Sequence, residues 1–281
     1  MLGSIPAGVT IPSRDTTMEL KRHIYIPDTQ IRPGVPLDHL LWLARFIADH
    51  RLPDHLQFAG DWWDMPSLSS YAKKGSKSTE GKRIKADRDA GYEAMAMFQN
   101  ELMRLGVSIE SQGFTMGNHE HRHTRFLEEN PDLIGEIIED PHTFYGLDDF
   151  GIRSAQFMEP MHKHGVTYCH LFDINASGDT TGRRAGQPNA RMQVRRVSGS
   201  SVAGHKQGYD IAHRTHPYAR SWQQETFAVI AGSFYQHKEG YRGPTDGYEK
   251  RGVVVINGLN KWGAGDPQFV SMNYLRENYG D

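Results

Sequence analysis

The sequence has little of three features that would place it in common protein classes. It contains one cysteine, Cys169, in 281 residues, so an intramolecular disulfide is impossible. No stretch approaches the ~18 apolar residues of a membrane-spanning helix. The first residues lack the apolar segment of a signal peptide. These absences predict a soluble protein without a membrane partner, in a reducing compartment such as the cytoplasm.

The chain also lacks a large excess of charge of either sign. Its formal net charge is −2, which argues against strong nonspecific attraction of the whole molecule to nucleic acid. Apolar residues make up 37% of the chain, enough to bury a large core. No repeat or linker divides the sequence, so we expect a single domain at 21–281 after a weakly structured arm at 1–20, with basic insertions near 66–90 and 173–200.

Histidine, by contrast, is abundant, with 15 residues in the chain. Imidazole suits metal binding and proton transfer near neutral pH, so the positions of these residues matter. Apolar runs predict strands at 23–27, 54–59 and 107–116, and apolar spacing predicts helices at 37–50 and around 92–105. The order strand, helix, strand predicts a parallel pair. Further strands are predicted at 165–168, 201–203, 227–230 and 253–256.

Side chains that can bind metals directly follow five short apolar runs. They are Asp28, Asp61, Asn118, His170 and His205. Ligand sites in α/β proteins gather beyond the carboxyl ends of the strands, so these side chains can meet although they are far apart in sequence. Carboxylates neutralise the charge of divalent ions, while imidazoles and amides set the geometry. The pattern predicts a two-metal site in which Asp61 bridges the ions and Asp64 orients a histidine.

The motifs also occur in an order that carries a resemblance. They are Asp28-Thr29-Gln30, GDWWD from Gly60 to Asp64, GNHE from Gly117 to Glu120, the strand-end His170, and GHKQ from Gly204 to Gln207. GDxxD alone is a weak signal and GNHE a moderate one, but the ordered set is strong. Over residues 22–258 the sequence resembles the calcineurin-like metallophosphoesterases, and it is similar to phosphoesterases encoded by bacteriophages.

This resemblance implies both a fold and a reaction. The fold would be a four-layer α/β/β/α sandwich, in which two mixed β-sheets pack together and helices cover them. The reaction would be direct attack on phosphorus by a metal-bound hydroxide at a dinuclear site, without a covalent intermediate.

The resemblance also implies a role for each motif residue, carried over by position. Asp28 would bind the first ion only, and Asp61 would bridge both ions. The second ion would be completed by three side chains: Asn118, His170 and His205. Asn118 would also contact the substrate. The residue that protonates the leaving oxygen would be His119, oriented by Asp64.

Two positions depart from the family's pattern, and both concern the first ion. Gln30 stands where the family usually has a histidine in its first motif, and Gln207 replaces the second histidine of the last motif. An amide oxygen is a harder and weaker donor than imidazole. We therefore expect a first site that prefers Mn²⁺, or Mg²⁺, over Zn²⁺ or Fe and is weakly occupied. Whether the two glutamines bind the ion or only line the cavity stays open.

Three further features have two interpretations each. Trp62 and Trp63 are expected to pack in the core below the GDWWD loop, with an aromatic wall that stacks a base or sugar as the alternative. Cys169 is expected to be buried without a catalytic role. His162 and His164 compete with His170 as metal ligands, but the strand-like sequence VTYCH favours His170.

Two basic stretches, 73–88 and 183–196, connect strand ends that carry candidate ligands. Phosphate-rich substrates would be attracted to them, and arginine can hold phosphate through two hydrogen bonds. Arg183, Arg184 and Arg191 are therefore predicted to contact the substrate. A solvated basic face is the alternative.

Together these features predict a metal-dependent phosphoesterase that acts as a phosphodiesterase or nuclease on a nucleic acid or nucleotide. One alternative is a phosphatase that acts on phosphomonoesters of proteins or small molecules. The other is a noncatalytic binding module on a degraded phosphoesterase fold. The loss of the first-site histidines supports that module, whereas the retained His119 argues against it.

Overall fold

The computed structural model describes residues 20–69, 81–173, 189–215, 225–238 and 249–280. Apart from Leu20, the arm predicted at 1–20 lies outside these residues. The described strands are β1 (Lys21–Ile26), β2 (His55–Phe58), β3 (Ser111–Thr115), β4 (Arg153–Ala155), β5 (Met161–Lys163), β6 (Val166–Cys169), β7 (Ser200–Ala203), β8 (Tyr209–Arg214), β9 (Thr226–Ala231), β10 (Gly252–Leu259) and β11 (Asp266–Ser271). The described helices are α1 (Asp38–Asp49), α2 (Ile84–Arg104), α3 (His121–Glu129), α4 (Pro141–Phe144), α5 (Ala190–Arg196) and α6 (Met272–Tyr279).

The strands form two mixed sheets, which confirms the predicted α/β class. The first sheet has the order β11-β10-β1-β2-β3-β4, and the second has the order β5-β6-β7-β9-β8. In the first sheet β1 to β4 are parallel, whereas β10 is antiparallel to both β1 and β11. In the second sheet β6, β7 and β9 are parallel, and the outer strands β5 and β8 are antiparallel to their neighbours.

Parallel pairing places the candidate ligands at the carboxyl ends of adjacent strands. Ile26, Phe58 and Phe114 are aligned across the first sheet, so the loops that follow β1, β2 and β3 leave the sheet side by side. Cys169 and Ala203 are paired in the second sheet, so the loops after β6 and β7 also begin together. This register accounts for the convergence of the motifs.

The two sheets share a hydrophobic cluster. Tyr25 and Val254 of the first sheet belong to the same buried cluster as Tyr168, Val202 and Val229 of the second sheet. A larger cluster joins the first sheet to α1, α2 and α6, and a small one joins the second sheet to α5. Because each buried side chain contributes about 1.5–3 kcal/mol, these clusters hold the sheet ends, and thus the loops beyond them, in fixed positions.

Helix α1 confirms the helix predicted at 37–50, and its buried Leu40, Leu43 and Ile47 recur at helical spacing. Helix α2 begins at Ile84, earlier than the prediction around Tyr92, because the charged residues of its first turns hide the apolar periodicity. Gly106 has a φ of 72° just after this helix, as expected of a C-terminal glycine.

The range 173–200 was expected to be mostly loop; residues 174–188 lie outside the described residues, and the short helix α5 lies in the rest of the range. The Asn189 side chain caps this helix by accepting the Met192 N–H at 2.9 Å, and Val194 packs against the second sheet. The edge strands β4, β5, β8 and β11 were not predicted, because their half-exposed residues do not alternate clearly. None of the described helices is long and apolar enough to cross a membrane.

Candidate metal centre

The strand-end loops bring four predicted ligands of the second ion into one cluster. Ligand atoms of Asp61, His170 and His205 all lie within 4.8 Å of one another. The Asn118 amide oxygen lies 3.1 Å from His170 Nε2 and 2.8 Å from His205 Nδ1. Four loops, two from each sheet, therefore bring together oxygen and nitrogen atoms that could bind one cation.

His170 is oriented by the backbone so that it can bind a cation. Its Nδ1 lies 2.8 Å from the carbonyl oxygen of Ala59. A carbonyl only accepts hydrogen bonds, so Nδ1 carries the hydrogen, and in the neutral ring Nε2 turns its lone pair toward the cluster. This Nε2 lies 3.6 Å from Asp61 Oδ2. Lone pairs of an imidazole nitrogen, a carboxylate oxygen and an amide oxygen thus face one another. Divalent ions bind such a set of ligand atoms.

Asp28 offers an unsatisfied carboxylate oxygen beside this cluster. Its Oδ1 accepts the backbone N–H of His205 at 2.9 Å, whereas its fully buried Oδ2 has no hydrogen-bond partner among the described residues. Burial, and then the nearby Asp61, raise the pKa of Asp28 to about 6. Because a buried carboxylate needs a compensating partner, a cation at Oδ2 fits the position predicted for the first ion.

Asp61 occupies the centre of the arrangement. Its Oδ1 accepts the backbone N–H of His119 at 2.9 Å, while Oδ2 faces the imidazoles. Burial raises the pKa of Asp61, but the nearby His119 and His170 outweigh burial and hold this pKa below its usual value. An ionised carboxylate with one oxygen fixed and one free is suited to bridging two ions.

Four candidate residues have left-handed backbone conformations, which non-glycine residues rarely adopt. The φ angles are 49° at Gln30 and Asp61, 63° at His205 and 56° at Gln207. Each such conformation costs on the order of 1–3 kcal/mol, and they are concentrated at functional sites in proteins. Their occurrence in these loops indicates that the loop geometry serves the site rather than stability.

Gln30 and Gln207, the two glutamines predicted near the first ion, are both buried. The Gln30 backbone N–H donates to the Asp61 carbonyl at 2.7 Å. The Gln207 amide oxygen accepts the hydroxyl of Tyr235 at 2.9 Å. Their role as ligands of the first ion stays a prediction.

The His119 imidazole is held by Asp64 as the motif pattern predicts. Its Nδ1 lies 3.0 Å from Asp64 Oδ1 and 2.9 Å from the Asp64 carbonyl oxygen. Burial raises the pKa of Asp64, but hydrogen bonding to His119 and the charge of Arg32, 2.7 Å away, lower it to about 2. Burial lowers the pKa of His119, yet Asp61 and Asp64 together raise it above its usual value.

Glu120 has a structural role that the sequence analysis did not assign. Its Oε2 accepts the backbone N–H groups of Asp61 and Gly117, both at 2.8 Å, and its Oε1 accepts that of Trp63 at 3.0 Å. Burial, and then Asp61, raise the pKa of Glu120 to about 7. This side chain therefore ties the GDWWD loop to the GNHE loop.

Replacing Glu120 by glutamine is expected to lower the free energy of unfolding by about 2 kcal/mol. The glutamine side chain has an NH₂ group in place of one carboxylate oxygen, so at least one backbone N–H would lose its acceptor. A buried donor without an acceptor costs roughly 1–3 kcal/mol. Urea unfolding of the metal-free protein measures this change. Glu128→Gln, on the exposed side of α3, is the control, and equal stability of the two variants would contradict the role of Glu120.

The positions of the two tryptophans, the cysteine and His164 decide between the alternatives that the sequence left open for them. Trp62 and Trp63 are 1% and 0% exposed and pack in the core, so neither forms the alternative base-stacking wall. Their indole N–H groups donate to carbonyls of α2, both at 2.9 Å. Cys169 is buried as expected, and burial raises its pKa to about 11. His164 contacts His23 instead of the metal cluster, with 2.8 Å between ring nitrogens.

Arg191 is the one predicted arginine of the basic stretches that can be located, since Arg183 and Arg184 lie outside the described residues. It lines two adjoining cavities of about 520 and 550 Å³ between α5 and β8. We call this feature the basic groove and define it by Arg191, Arg195, His213 and Arg214. No acidic residue is among the described residues that line the 520 Å³ cavity. Asp210 lines the other and accepts the Ala190 N–H at 2.8 Å.

No family model and no curated protein matches this chain. What the protein can do must therefore be inferred from the chemistry of the site itself. That site combines a buried carboxylate, three neighbouring nitrogen and oxygen donors, and an imidazole held by a second carboxylate.

Proposed function

We propose that the protein is a metal-dependent phosphoesterase of the calcineurin-like metallophosphoesterase superfamily. The observation that carries the proposal is the convergence of four donor side chains at the carboxyl ends of parallel strands: Asp61, Asn118, His170 and His205. Two mixed sheets that share a buried cluster, with helices packed on them, support the four-layer α/β/β/α sandwich.

The donor set fits two divalent ions. Asp28 would hold the first, Asp61 would bridge, and the remaining cluster would hold the second. Two such ions about 3.5–4 Å apart bind phosphate oxygens and lower the pKa of a water molecule between them. Amide oxygens at Gln30 and Gln207 favour Mn²⁺ for the first site, because hard oxygen donors suit Mn²⁺ and Mg²⁺.

The protein's own groups supply proton transfer and orientation. His119 would donate a proton to the leaving oxygen. Its Nδ1 is held by Asp64, and its Nε2 lies 3.8 Å from Oδ2 of Asp61, on the side of the candidate metal ligands. The amide of Asn118, shared by two imidazoles, would also orient the phosphate. The fixed backbone of these loops keeps the groups aligned before substrate binds.

The basic groove supports a phosphodiester of nucleic acid as the substrate. Such a polyanion is long enough to reach the groove from the metal centre, although Arg214 pairs with Thr226 at the amino end of β9. We expect Arg195→Glu combined with Arg214→Glu to weaken binding of single-stranded DNA and to reduce the slope of log affinity against log salt by about 1.4, because each phosphate contact contributes about 0.7. Fluorescence anisotropy across a salt series measures both quantities.

Arg276→Glu on the exposed side of α6 is a charge-reversal control, to be compared with each single variant of the groove as well as with the double variant. Hydrolysis of DNA should fall much more than hydrolysis of bis-p-nitrophenyl phosphate. An equal loss on both substrates would argue against a substrate role for the groove.

The experiment for the proposed function is a hydrolysis panel with Mn²⁺. Bis-p-nitrophenyl phosphate and single-stranded DNA report diesterase activity, and p-nitrophenyl phosphate reports phosphatase activity. We expect hydrolysis of the diesters. Hydrolysis of the monoester alone would favour a phosphatase, and no hydrolysis by the intact, metal-loaded protein would favour a noncatalytic binding module.

A further inference from the structure

Arg122 is a buried arginine whose guanidinium lies against the imidazole of His119. It is the second residue of α3 and is 8% exposed. Its Nη2 lies 3.1 Å from His119 Nε2. Its Nη1 donates to the carbonyl oxygens of Asp64, at 2.5 Å, and Met65, at 3.3 Å. The guanidinium is therefore fixed at the nitrogen through which His119 would transfer its proton.

The other edge of the same imidazole is held by Asp64. Because a carboxylate accepts hydrogen bonds, the contact of 3.0 Å to Asp64 Oδ1 places the hydrogen on His119 Nδ1. In the neutral ring Nε2 then has a lone pair, which accepts the N–H of Arg122. The Asp64 carbonyl oxygen joins both groups, since it lies 2.9 Å from His119 Nδ1 and also accepts from Arg122.

We propose that Arg122 is a positioning residue that acts through His119 on departure of the leaving group. The inference rests on the function proposed above. As the ester P–O bond breaks, the leaving oxygen takes the proton from His119 Nε2. The hydroxyl of the attacking water becomes bonded to phosphorus, and its other proton returns to the ring through solvent. Arg122 is itself held by the carbonyl oxygens of Asp64 and Met65, so its contact at Nε2 fixes the position of the ring that makes this transfer.

A purely structural role for Arg122 would have different consequences. In that case the side chain would only tie α3 to the loop at Asp64 and Met65, and its loss would affect all substrates alike. Leaving groups distinguish the two roles, because p-nitrophenolate departs without needing much protonation whereas an alkoxide needs a proton.

The test compares bis-p-nitrophenyl phosphate with a dinucleoside monophosphate, whose leaving group is an alkoxide, in the Mn²⁺-loaded full chain. Arg122→Gln should lower kcat on the dinucleotide by about 10–100-fold, which is part of the roughly 10²–10⁴-fold that general acid catalysis contributes. The loss of kcat on the aryl diester should be at least about tenfold smaller. Arg122→Lys, which keeps one donor but not the forked geometry, should recover part of the loss. Arg125→Gln, on the exposed side of the same helix, is the control.

A double-mutant cycle with His119→Asn shows whether Arg122 acts through the imidazole. In that background Arg122→Gln should lower kcat on the dinucleotide by no more than about threefold. Equal losses on both substrates, or losses that multiply with those of His119→Asn, would overturn the inference and leave the proposed function standing. A wild-type protein inactive on both substrates would overturn the proposed function and the inference with it. If Arg122→Gln does not fold, the same comparisons with Arg122→Lys decide.

Discussion

Replacing Asp61 by asparagine is expected to remove bound metal from the centre and to lower diester hydrolysis by at least about 10³-fold. Bound ions contribute several kcal/mol of transition-state stabilisation, and each 1.36 kcal/mol corresponds to a tenfold change in rate. Asp61 faces His119 and His170 with one oxygen and is held by the loop with the other. An amide of the same shape preserves the packing while removing the negative charge that two bridged cations would need.

Metal content after dialysis and kcat with Mn²⁺ measure the two parts of this prediction. The control is Asp132→Asn, which removes an exposed carboxylate on the segment after α3. A variant at Asp61 that retains wild-type metal content and activity would show that this carboxylate does not bind the ions.

The second large effect is a loss of stability in acid that arises far from the metal centre. Burial, and then His55 and His164, lower the pKa of His23 to about 2. Burial lowers the pKa of His55 to about 4, against the opposing hydrogen bond from Gln57. Lys21 and Lys163 also face this group, and the hydroxyl of Tyr168 bonds to His23.

The direction of this pH effect follows from the protonation of His23 and His55 in the folded and unfolded states. The folded protein keeps both imidazoles neutral, whereas the unfolded chain protonates them near their ordinary pKa of 6.5. The contribution of the two neutral imidazoles to the free energy of unfolding is therefore complete above about pH 7.5 and decreases as the pH falls below 6.5. Between pH 7.5 and 5 the pair should lower the free energy of unfolding by about 4 kcal/mol.

Urea unfolding of the metal-free protein at both pH values measures this loss. The contribution of the pair is the difference between the pH dependence of wild type and that of His23→Gln combined with His55→Gln. His162→Gln removes an exposed imidazole and should leave the pH dependence as it is. The same slope in wild type and in the double variant would contradict the prediction.

The sequence was sufficient to predict the parts of the molecule that obey simple periodicity. Helix α1 has a continuous apolar face, and β1, β2 and β6 are short apolar runs that end at Asp28, Asp61 and His170. Because β1 is parallel to β2 and β6 is parallel to β7, predicting where the strands end also predicted which candidate ligands leave the same edge of each sheet. The convergence in the structure follows from the register of the strands.

The contacts around the ligands were beyond sequence reasoning. Glu120 looks like part of a motif, but only the folded loops show that three backbone N–H groups point at it. Arg32 and Arg122 reach Asp64 and His119 from other segments, and no spacing predicts such a contact. Strand β8 is half-exposed at a sheet edge, where pairing with β9 outweighs its weak apolar alternation.

Crystals grown with Mn²⁺ and measured at the manganese absorption edge test the central claim most directly. We predict an anomalous peak among Asp61, Asn118, His170 and His205, and a second, weaker peak about 3.5–4 Å away, beside Asp28. Two such peaks would place both ions at the strand ends. No peak at this position in a Mn²⁺-soaked crystal of the folded protein, or ions bound only elsewhere, would contradict the assignment of a two-metal phosphoesterase.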